Sequence, residues 1–435
     1  MPDTTIAIRM YNVGFGDAFT VTVRRGDAVW RMLVDCGVHS QGRARPISEV
    51  VEAIIGDLGA DTVGTASLDV VVATHHHADH ISGFACDDWE QVTVGEVWVP
   101  YVEDPKDKDA QAIRSAQTAV AKGLTALIEQ RTRNLESDTW SAAISAAHAF
   151  AVNSGGNAAA TDRLLRRAGK GFKAPHRVRY LPDKTPTRNR IEVKRVGAVV
   201  HVLGPPRDPN YLRRMNPPKS AGWLQLDIDD NEPGDGNEPG NGSPKRLFDP
   251  RYVLGGTQAP TTDLEHAKTV LRLDNFTNDA GLLGAAALLE RAVNNTSLFF
   301  VLDVAGTRLL FPGDAQQGAW EHVLADSDNK RLLSDIALYK VGHHGSHNAT
   351  PRSFIENVWN TPGFAMIPFG LVKRWADTIP KQELLDALHE HRHCVIRADA
   401  PVAADGVTVN GDLWSEVTLT VGQCRAGRRP WESSI

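Results

Sequence analysis

Short apolar runs separated by turn residues characterise the first part of the chain. Three of them fall between residues 4 and 37, where apolar and polar positions alternate as they do in half-buried strands. The runs are Ile6-Ala7-Ile8, Phe19-Thr20-Val21-Thr22-Val23 and Met32-Leu33-Val34. Apolar residues then recur at helical spacing over 47–58, which predicts a helix. The continuous apolar run Leu68–Ala73 predicts a buried strand that leads directly into a group of histidines.

The same alternation of strand and helix patterns continues to the end of the chain. A strand over Val92–Val99 precedes a long Ala-rich helical stretch between about 108 and 152, and a further helix is predicted at about 279–293. Strands are then predicted at 298–304, 308–311, 336–341, 364–368, 393–397 and 416–421, with helices at 352–359 and 381–391. This order predicts an α/β fold.

Length and composition are compatible with one elaborated domain. The 435 residues exceed an average domain, but the motifs described below extend past residue 340, so we predict a single domain over 1–435. The net charge of -6 provides no global attraction to nucleic acid or to anionic membranes. With no signal-peptide pattern and no apolar run near the ~18 residues of a membrane span, we expect a cytoplasmic protein without membrane contacts. The sequence does not indicate a protein partner.

Two segments depart from this average composition. Residues 101–200 form a predicted helical and basic insertion, in which Arg163–Arg195 carries twelve Lys or Arg residues against two acids. This basic segment is a candidate contact for a nucleic-acid backbone, and the alternative is a solvated helix and loop. Residues 205–256 are predicted to be a Gly/Pro-rich flexible loop region, because such polar sequence cannot bury a core.

The strongest chemical signal is the run His75-His76-His77-Ala78-Asp79-His80. A short loop that leaves a buried strand can turn several imidazoles and a carboxylate toward one cavity. This mixture of ligands suits zinc, manganese or iron better than calcium or magnesium. His75, His77, Asp79 and His80 are therefore predicted metal ligands, with Zn²⁺ or Mn²⁺ as the cofactor.

Two later strands also end in potential ligands. The run Leu309-Leu310-Phe311-Pro312-Gly313 ends at Asp314, a carboxylate that can bridge two metals. The run Ala337–Val341 is followed by Gly342, His343 and His344. Ligand groups gathered at the carboxyl ends of buried strands are typical of α/β sites, so the three segments together predict a shared site.

At this point the chain resembles the metallo-β-lactamase superfamily, whose marker is the His-x-His-x-Asp-His loop. Within it, the chain is most similar to the branch that includes the hydrolase domain of the bacterial competence DNA-uptake channel. The similarity rests on Val13–Ala18, Leu33–Gly37, Phe311–Asp314 and Lys340–Ser346. It covers about 1–99 and 294–370 and implies a four-layer αββα metallo-β-lactamase sandwich with metals at one edge.

The resemblance also implies a distribution of ligands over one or two ions per chain. One metal would be held by Asp79, His80, Asp314 and His343, and the other by His75 and His77. The family's third histidine for the second metal is missing, since the corresponding segment reads Asn294-Asn295-Thr296-Ser297. We favour His343 over His344 as the ligand, and predict that Asp79 and His344 are catalytic. Asp35 is expected to orient a ligand histidine.

These residues predict a hydrolase that uses a metal-bound hydroxide as nucleophile. Because fold and metal do not select a substrate, three hypotheses stay open. The leading one is a phosphodiesterase or nuclease that acts on nucleic acid or a nucleotide. The first alternative is a hydrolase of a small ester, lactone, lactam or phosphocholine-like molecule. The second is a non-catalytic metal-binding regulatory module.

Overall fold

A computed structural model of the chain describes residues 3–60, 66–155, 157–217, 279–372 and 378–422. The strands are β1 (Thr4–Tyr11), β2 (Ala18–Arg25), β3 (Ala28–Cys36), β4 (Ser67–Val72), β5 (Thr93–Pro100), β6 (Arg177–Leu181), β7 (Arg190–Val193), β8 (Ala198–Gly204), β9 (Phe299–Val304), β10 (Thr307–Phe311), β11 (Leu338–Lys340), β12 (Phe364–Ile367), β13 (Cys394–Arg397), β14 (Val407–Asn410) and β15 (Trp414–Thr420). The α-helices are α1 (Ile47–Ala60), α2 (Ala78–Ile81), α3 (Lys108–Thr132), α4 (Ala142–Gly155), α5 (Ala158–Leu164), α6 (Pro209–Leu212), α7 (Asp279–Asn294), α8 (Gln317–Ala325), α9 (Ser327–Leu333), α10 (Arg352–Asn357) and α11 (Gln382–Glu390).

The described strands form two mixed sheets. The first has the order β14-β15-β1-β2-β3-β4-β5-β6, and the second has the order β13-β12-β11-β10-β9-β8-β7. In the first sheet β3, β4, β5 and β6 run parallel to one another, and in the second β10, β11, β12 and β13 do so. Each sheet thus combines an antiparallel part with a parallel part, as the alternation of sequence patterns predicts.

The largest hydrophobic core lies between the two sheets. Alternate residues of β1, such as Ile6 and Ile8, are fully buried there together with Phe300 and Leu302 of β9. This alternation is the period-2 pattern of the sequence, which turns one face of each strand toward the facing sheet. Burial of this shared face holds the two sheets together.

Helices cover the outer faces of both sheets. On the first sheet, Val50 and Ile54 of α1 pack over Leu33, Val71 and Val97. On the second sheet, the buried partners of Val301, Leu310 and Tyr339 include Trp320 of α8, Phe354 of α10 and Leu384 of α11. The layers are therefore helix, sheet, sheet and helix, so the predicted four-layer αββα sandwich is confirmed.

A separate helical cluster is formed by α3, α4 and α7. Its core contains Leu124 and Ile128 of α3, Phe150 of α4, and Leu289 and Val293 of α7. The predicted 101–200 segment thus contains α3, α4 and α5 followed by β6, β7 and the start of β8. Of the predicted flexible region 205–256, only residues 205–217 lie within the described part of the chain.

None of the described helices combines the length and the apolar character that crossing a membrane requires.

Candidate metal centre

The candidate site lies at the carboxyl ends of neighbouring strands from both sheets. Asp35 is next to last in β3, and the histidine loop His75–His80 begins shortly after β4. Asp314 follows β10 and His344 follows β11, so the second sheet contributes from the facing side. Because parallel strands end at the same sheet edge, ligands distant in sequence meet there.

The turns that carry these ligands have little room for larger residues. Gly313 has a φ of +58°, and a Cβ atom there would come within 2.8 Å of the Ser297 side chain and 2.9 Å of the Thr74 side chain. Only glycine adopts this backbone without strain and without contact with those neighbours. The glycine therefore lets Asp314 approach the histidine loop.

The first group of potential ligands consists of His75, His77 and Asp79. One ligand atom from each lies within 4.8 Å of the others, and all three residues are buried. His75 Nε2 and His77 Nδ1 face each other at 3.1 Å. One carboxylate oxygen of Asp79, Oδ1, is buried and has no hydrogen-bond partner in the described part of the chain. The group thus offers two ring nitrogens and an uncommitted oxygen.

The second group consists of Asp79, His80, Asp314 and His344, again with one ligand atom from each within 4.8 Å of the others. His80 Nε2 lies 3.2 Å from Asp314 Oδ2, and His344 Nε2 lies 3.4 Å from Asp79 Oδ2. Asp79 belongs to both groups, which makes it a possible bridge between two cations. All four side chains are buried.

His75, His80 and His344 each place one ring nitrogen among the potential ligand atoms. The second ring nitrogen of each lies within hydrogen-bond distance of an oxygen. His80 Nδ1 lies 2.8 Å from Asp35 Oδ2, and His344 Nδ1 lies 2.6 Å from the Pro368 carbonyl. His75 Nδ1 lies 3.2 Å from the hydroxyls of both Thr74 and Ser297. Ligand histidines in metal sites are oriented by such contacts. The position of Asp35 agrees with its expected role.

The Thr74 hydroxyl indicates which nitrogen of His75 carries the proton. It donates its hydrogen to Asp35 Oδ2 at 2.7 Å, so toward His75 Nδ1 it can only accept. A hydrogen on His75 Nδ1 can be donated to the Thr74 hydroxyl, and this tautomer leaves a lone pair on Nε2 that points at His77. This is the arrangement that a metal-binding imidazole requires.

Electrostatics keep His75, His77 and Asp79 in forms that bind cations. Burial, together with the charges of His80 and His77, lowers the pKa of His75 well below its ordinary value, and burial lowers the pKa of His77 to about 3. Burial alone would raise the pKa of Asp79, but His80 and His344 more than offset it, so this pKa lies well below its ordinary value. His75 and His77 are therefore neutral imidazoles beside an ionised carboxylate, the protonation states that metal ligation needs. His80 differs, because burial would lower its pKa but the carboxylates of Asp314, Asp17 and Asp35 outweigh burial and raise it well above the ordinary value.

The donor set thus fits a metal cation. Imidazole nitrogens and carboxylate oxygens are the ligands such ions take, and two groups share one carboxylate. A buried carboxylate oxygen without a partner at the same place is costly unless something compensates its charge. A cation supplies that compensation.

His343 lies outside both groups, although the sequence analysis favours it over His344 as a ligand. Its Nδ1 lies 3.4 Å from Asn348 Oδ1, and its Nε2 lies 3.4 Å from Asn294 Nδ2 and 3.7 Å from Glu290 Oε1. Only its backbone N–H reaches the site, where it donates to Asp314 Oδ1 at 2.9 Å. The geometry thus points to His344 as the ligand.

His76 also points elsewhere. Its Nδ1 pairs with the buried carboxylate of Glu103 at 3.1 Å.

The asparagines that replace the expected third histidine have different surroundings. Asn295 Nδ2 donates to the carbonyls of Tyr211 and Leu212, and its Oδ1 accepts from the backbone of Gln316 and Ala319. Asn294 lies beside His343 instead. The residue of this segment that reaches the histidine loop is Ser297, which contacts His75 and accepts a bond from the Asp314 N–H at 3.1 Å.

Lys340 and Asp17 are site residues to which the sequence analysis assigns no role. The Lys340 ammonium is buried and lies 2.5 Å from Asp17 Oδ2 and 3.2 Å from Asp314 Oδ1. Burial would lower the pKa of Lys340, but Asp17 and Asp314 raise it, so the amine stays charged. The sequence signal that could have identified Lys340 as a site residue is the presence of a lysine within an otherwise apolar strand.

Acids pair with much of the basic segment Arg163–Arg195. Eight of its twelve cations form ion pairs, with partners that include Asp87, Glu96 and Asp107. Arg163 itself is buried and donates to the carbonyl of Phe84 at 2.8 Å. Much of the segment thus has a structural role, and its contact with a nucleic acid stays a prediction.

Comparison with known proteins finds two partial relatives. The chain is 31% identical over 106 residues to ComE operon protein 3 of Bacillus subtilis, an alignment that covers 24% of this chain and 13% of that protein. It is 26% identical over 154 residues to Recombination protein 2 of Haemophilus influenzae, an alignment that covers 35% of this chain and 18% of that protein. The chain thus matches less than a fifth of the length of either relative. No family model matches it.

Proposed function

We propose that this chain is a metal-dependent hydrolase that cleaves phosphodiester bonds in nucleic acid or a nucleotide. The observation that carries the proposal is the convergence of two ligand groups on Asp79, each with its ligand atoms within 4.8 Å. When bound, a divalent cation supplies a Lewis acid and lowers the pKa of a bound water to about 7.

The residues of the chain have separate roles in this proposal. Asp79 is the proton acceptor, because its carboxylate is ionised and its Oδ1 has no hydrogen-bond partner in the described residues. His344 lies 3.4 Å from Asp79 Oδ2 and orients it. Lys340 holds Asp314 at 3.2 Å and offsets part of the negative charge that the carboxylates concentrate there.

Two observations favour a phosphodiester over a neutral carbonyl substrate. Burial, and after it the charges of Arg291, His343 and Lys381, lower the pKa of His347 to about 4, so cationic side chains lie near the turn after His344. Positive charge at this position attracts an anionic substrate. One relative is named for recombination, and that name favours a nucleic-acid substrate.

The test is a substrate panel with purified protein and defined metals. Bis-p-nitrophenyl phosphate and a single-stranded oligonucleotide represent the proposed substrates, and nitrocefin represents the carbonyl alternative. We expect phosphodiester cleavage with Zn²⁺ or Mn²⁺ that Asp79→Asn lowers by about 10²- to 10⁴-fold. His389→Ala, which removes an exposed imidazole on α11, is the control and should keep wild-type turnover.

Turnover of nitrocefin alone would replace the proposal with the carbonyl hydrolase. Binding of metal without turnover of any substrate would support the regulatory module instead.

A further inference from the structure

Helix α4 reaches the histidine loop from outside the two sheets. Its last turns contain Asn153 and Ser154, both of which are buried. The helix is held in place by its own cluster, in which Phe150 packs with Leu289 of α7 and Leu124 of α3. The segment that the sequence analysis treats as an insertion is therefore in direct contact with the candidate site.

Three polar contacts join this region to consecutive parts of the loop. Ser154 Oγ lies 3.1 Å from His77 Nε2, and Asn153 Oδ1 accepts from the Asp79 N–H at 3.3 Å. Asn157, just beyond the helix, donates to the His76 carbonyl at 2.7 Å and to the Asn153 carbonyl at 3.0 Å. The loop is thus held at the His76 carbonyl, the His77 ring and the Asp79 N–H.

The contact with the His77 ring has a chemical consequence. A neutral imidazole has one N–H and one lone pair. If Ser154 accepts a hydrogen from Nε2, the lone pair of His77 lies on Nδ1, the atom that faces His75 Nε2 at 3.1 Å. A His75 Nδ1–H that donates to the Thr74 hydroxyl likewise leaves the His75 lone pair on Nε2. Two lone pairs then point at the same space, which a cation can occupy.

We propose that Ser154 is a positioning residue that holds His77 in its Nε2–H tautomer, so that His75 and His77 bind a cation without the third histidine of the resembled family. This inference rests on the proposed metal centre. Asn153 assists by holding the backbone of Asp79, the ligand that both groups share. The helical segment is then a functional part of the site.

The serines of α4 provide a matched pair of variants. Ser154→Ala removes the hydroxyl that contacts His77, whereas Ser145→Ala makes the same change earlier in the same helix, where the residue is half-buried. Ser154→Thr keeps a hydroxyl at the contact. Zn²⁺ binding is measured by calorimetry on metal-free protein, and thermal unfolding of the same metal-free samples reports any general loss of stability.

We expect Ser154→Ala to weaken the less tightly bound Zn²⁺ by about 10- to 100-fold, the usual effect of losing a group that orients a ligand histidine. Ser145→Ala should bind as the wild type does, and Ser154→Thr should restore most of the affinity. In Zn²⁺-loaded protein with ¹⁵N-labelled histidine, the His77 ring should carry its hydrogen on Nε2. A purely structural role for the helix would not fix this tautomer.

Wild-type Zn²⁺ binding that Ser154→Ala leaves unchanged would overturn this inference and leave the proposed function intact. An equal loss of affinity in Ser145→Ala, or a hydrogen on Nδ1 of His77, would overturn it as well. A wild-type protein that binds no divalent cation would overturn both the proposed function and this inference.

Discussion

At the scale of single residues, His343 and His344 show how the backbone assigns different roles to identical side chains. Their φ angles are 45° and 54°, and both follow Gly342 in a tight turn. This left-handed backbone is uncommon for residues other than glycine, although asparagine, aspartate and histidine adopt it more often than most. It directs the His344 ring toward Asp79 and leaves the His343 ring with Asn348 and Asn294.

The two histidines should therefore differ when each is replaced by asparagine, which tolerates the left-handed backbone. We expect His344→Asn to lower metal-dependent turnover by at least ~100-fold, because it removes a ring from the site. His343→Asn should cost only about 10-fold, since its backbone N–H still donates to Asp314 at 2.9 Å. Steady-state kinetics at saturating metal measure both effects.

A larger loss in His343→Asn than in His344→Asn would show that the ligand assignment from the sequence analysis is the right one.

Sequence could predict the ligand types and segments of the site but not this choice between neighbours. His75, His77, Asp79, His80 and Asp314 all lie in the groups that the structure brings together. The direction of a side chain after a glycine turn depends on φ angles that residue patterns do not encode. Nor does the local pattern show that Lys340 is paired with Asp17, because more than 300 residues separate the two.

At the scale of secondary-structure elements, long periodic segments were predicted well and irregular ones less so. The predicted helix 47–58 is α1 (Ile47–Ala60), and the predicted run Leu68–Ala73 is β4 (Ser67–Val72). The Ala-rich stretch 108–152 is divided into α3 and α4 by an irregular segment. Alanine favours a helix on every face, so composition could not show which face of α4 meets the histidine loop.

Helix α3 provides a prediction at this scale, since its beginning depends on one charged side chain. Asp107 Oδ1 accepts from the N–H groups of Asp109 and Ala110 at the helix N-terminus. Its Oδ2 pairs with Arg207 at 2.8 Å and Lys184 at 3.2 Å. Asp107→Asn keeps a capping side chain but removes the charge, and we expect it to lower the free energy of unfolding by about 1 kcal/mol. The value is at the low end for charged hydrogen bonds because the cationic partners are partly exposed.

The pH dependence of this effect follows from the pKa of Asp107. Burial would raise this pKa, but hydrogen bonds from Arg207 and Lys184 lower it to about 2, compared with about 3.9 in an unfolded chain. The stabilisation is therefore fully present above about pH 4 and is lost as the pH falls toward 2. Urea unfolding of wild type and Asp107→Asn should differ most at pH 6 and progressively less below pH 4. A difference that stays constant or grows on acidification would contradict this account.

At the scale of the whole molecule, the basic segment contributes to both sheets. Within it, β6 lies at one edge of the first sheet and β7 lies at one edge of the second, among the described strands. Arg177 and Arg179 pair with Glu96 on β5, and Arg195 pairs with Asp69 on β4. Cations that appear in sequence as one cluster are thus divided among acids of the fold, which charge counting along the chain cannot foresee.

The candidate metal centre lies where the two sheets meet, so cation binding should stabilise the whole fold. Asp79 and His80 come from the loop after β4 of the first sheet, whereas Asp314 and His344 come from the second sheet. A cation that binds this folded arrangement but not the unfolded chain adds about 2.7 kcal/mol of stability at 100 times its dissociation constant. We expect protein treated with EDTA and then dialysed to unfold at a lower temperature, and Zn²⁺ to restore the original midpoint.

The magnitude of that recovery should depend on ligands from both sheets. His80→Ala and His344→Asn each remove a ligand contributed by a different sheet, so Zn²⁺ should raise the unfolding midpoint of either variant much less than that of the wild type. His389→Ala should respond as the wild type does, because its imidazole is exposed on α11. Scanning calorimetry of the four proteins with and without Zn²⁺ separates these cases. If Zn²⁺ stabilises all four equally, the cation binds elsewhere on the chain and the sheets do not share a metal centre.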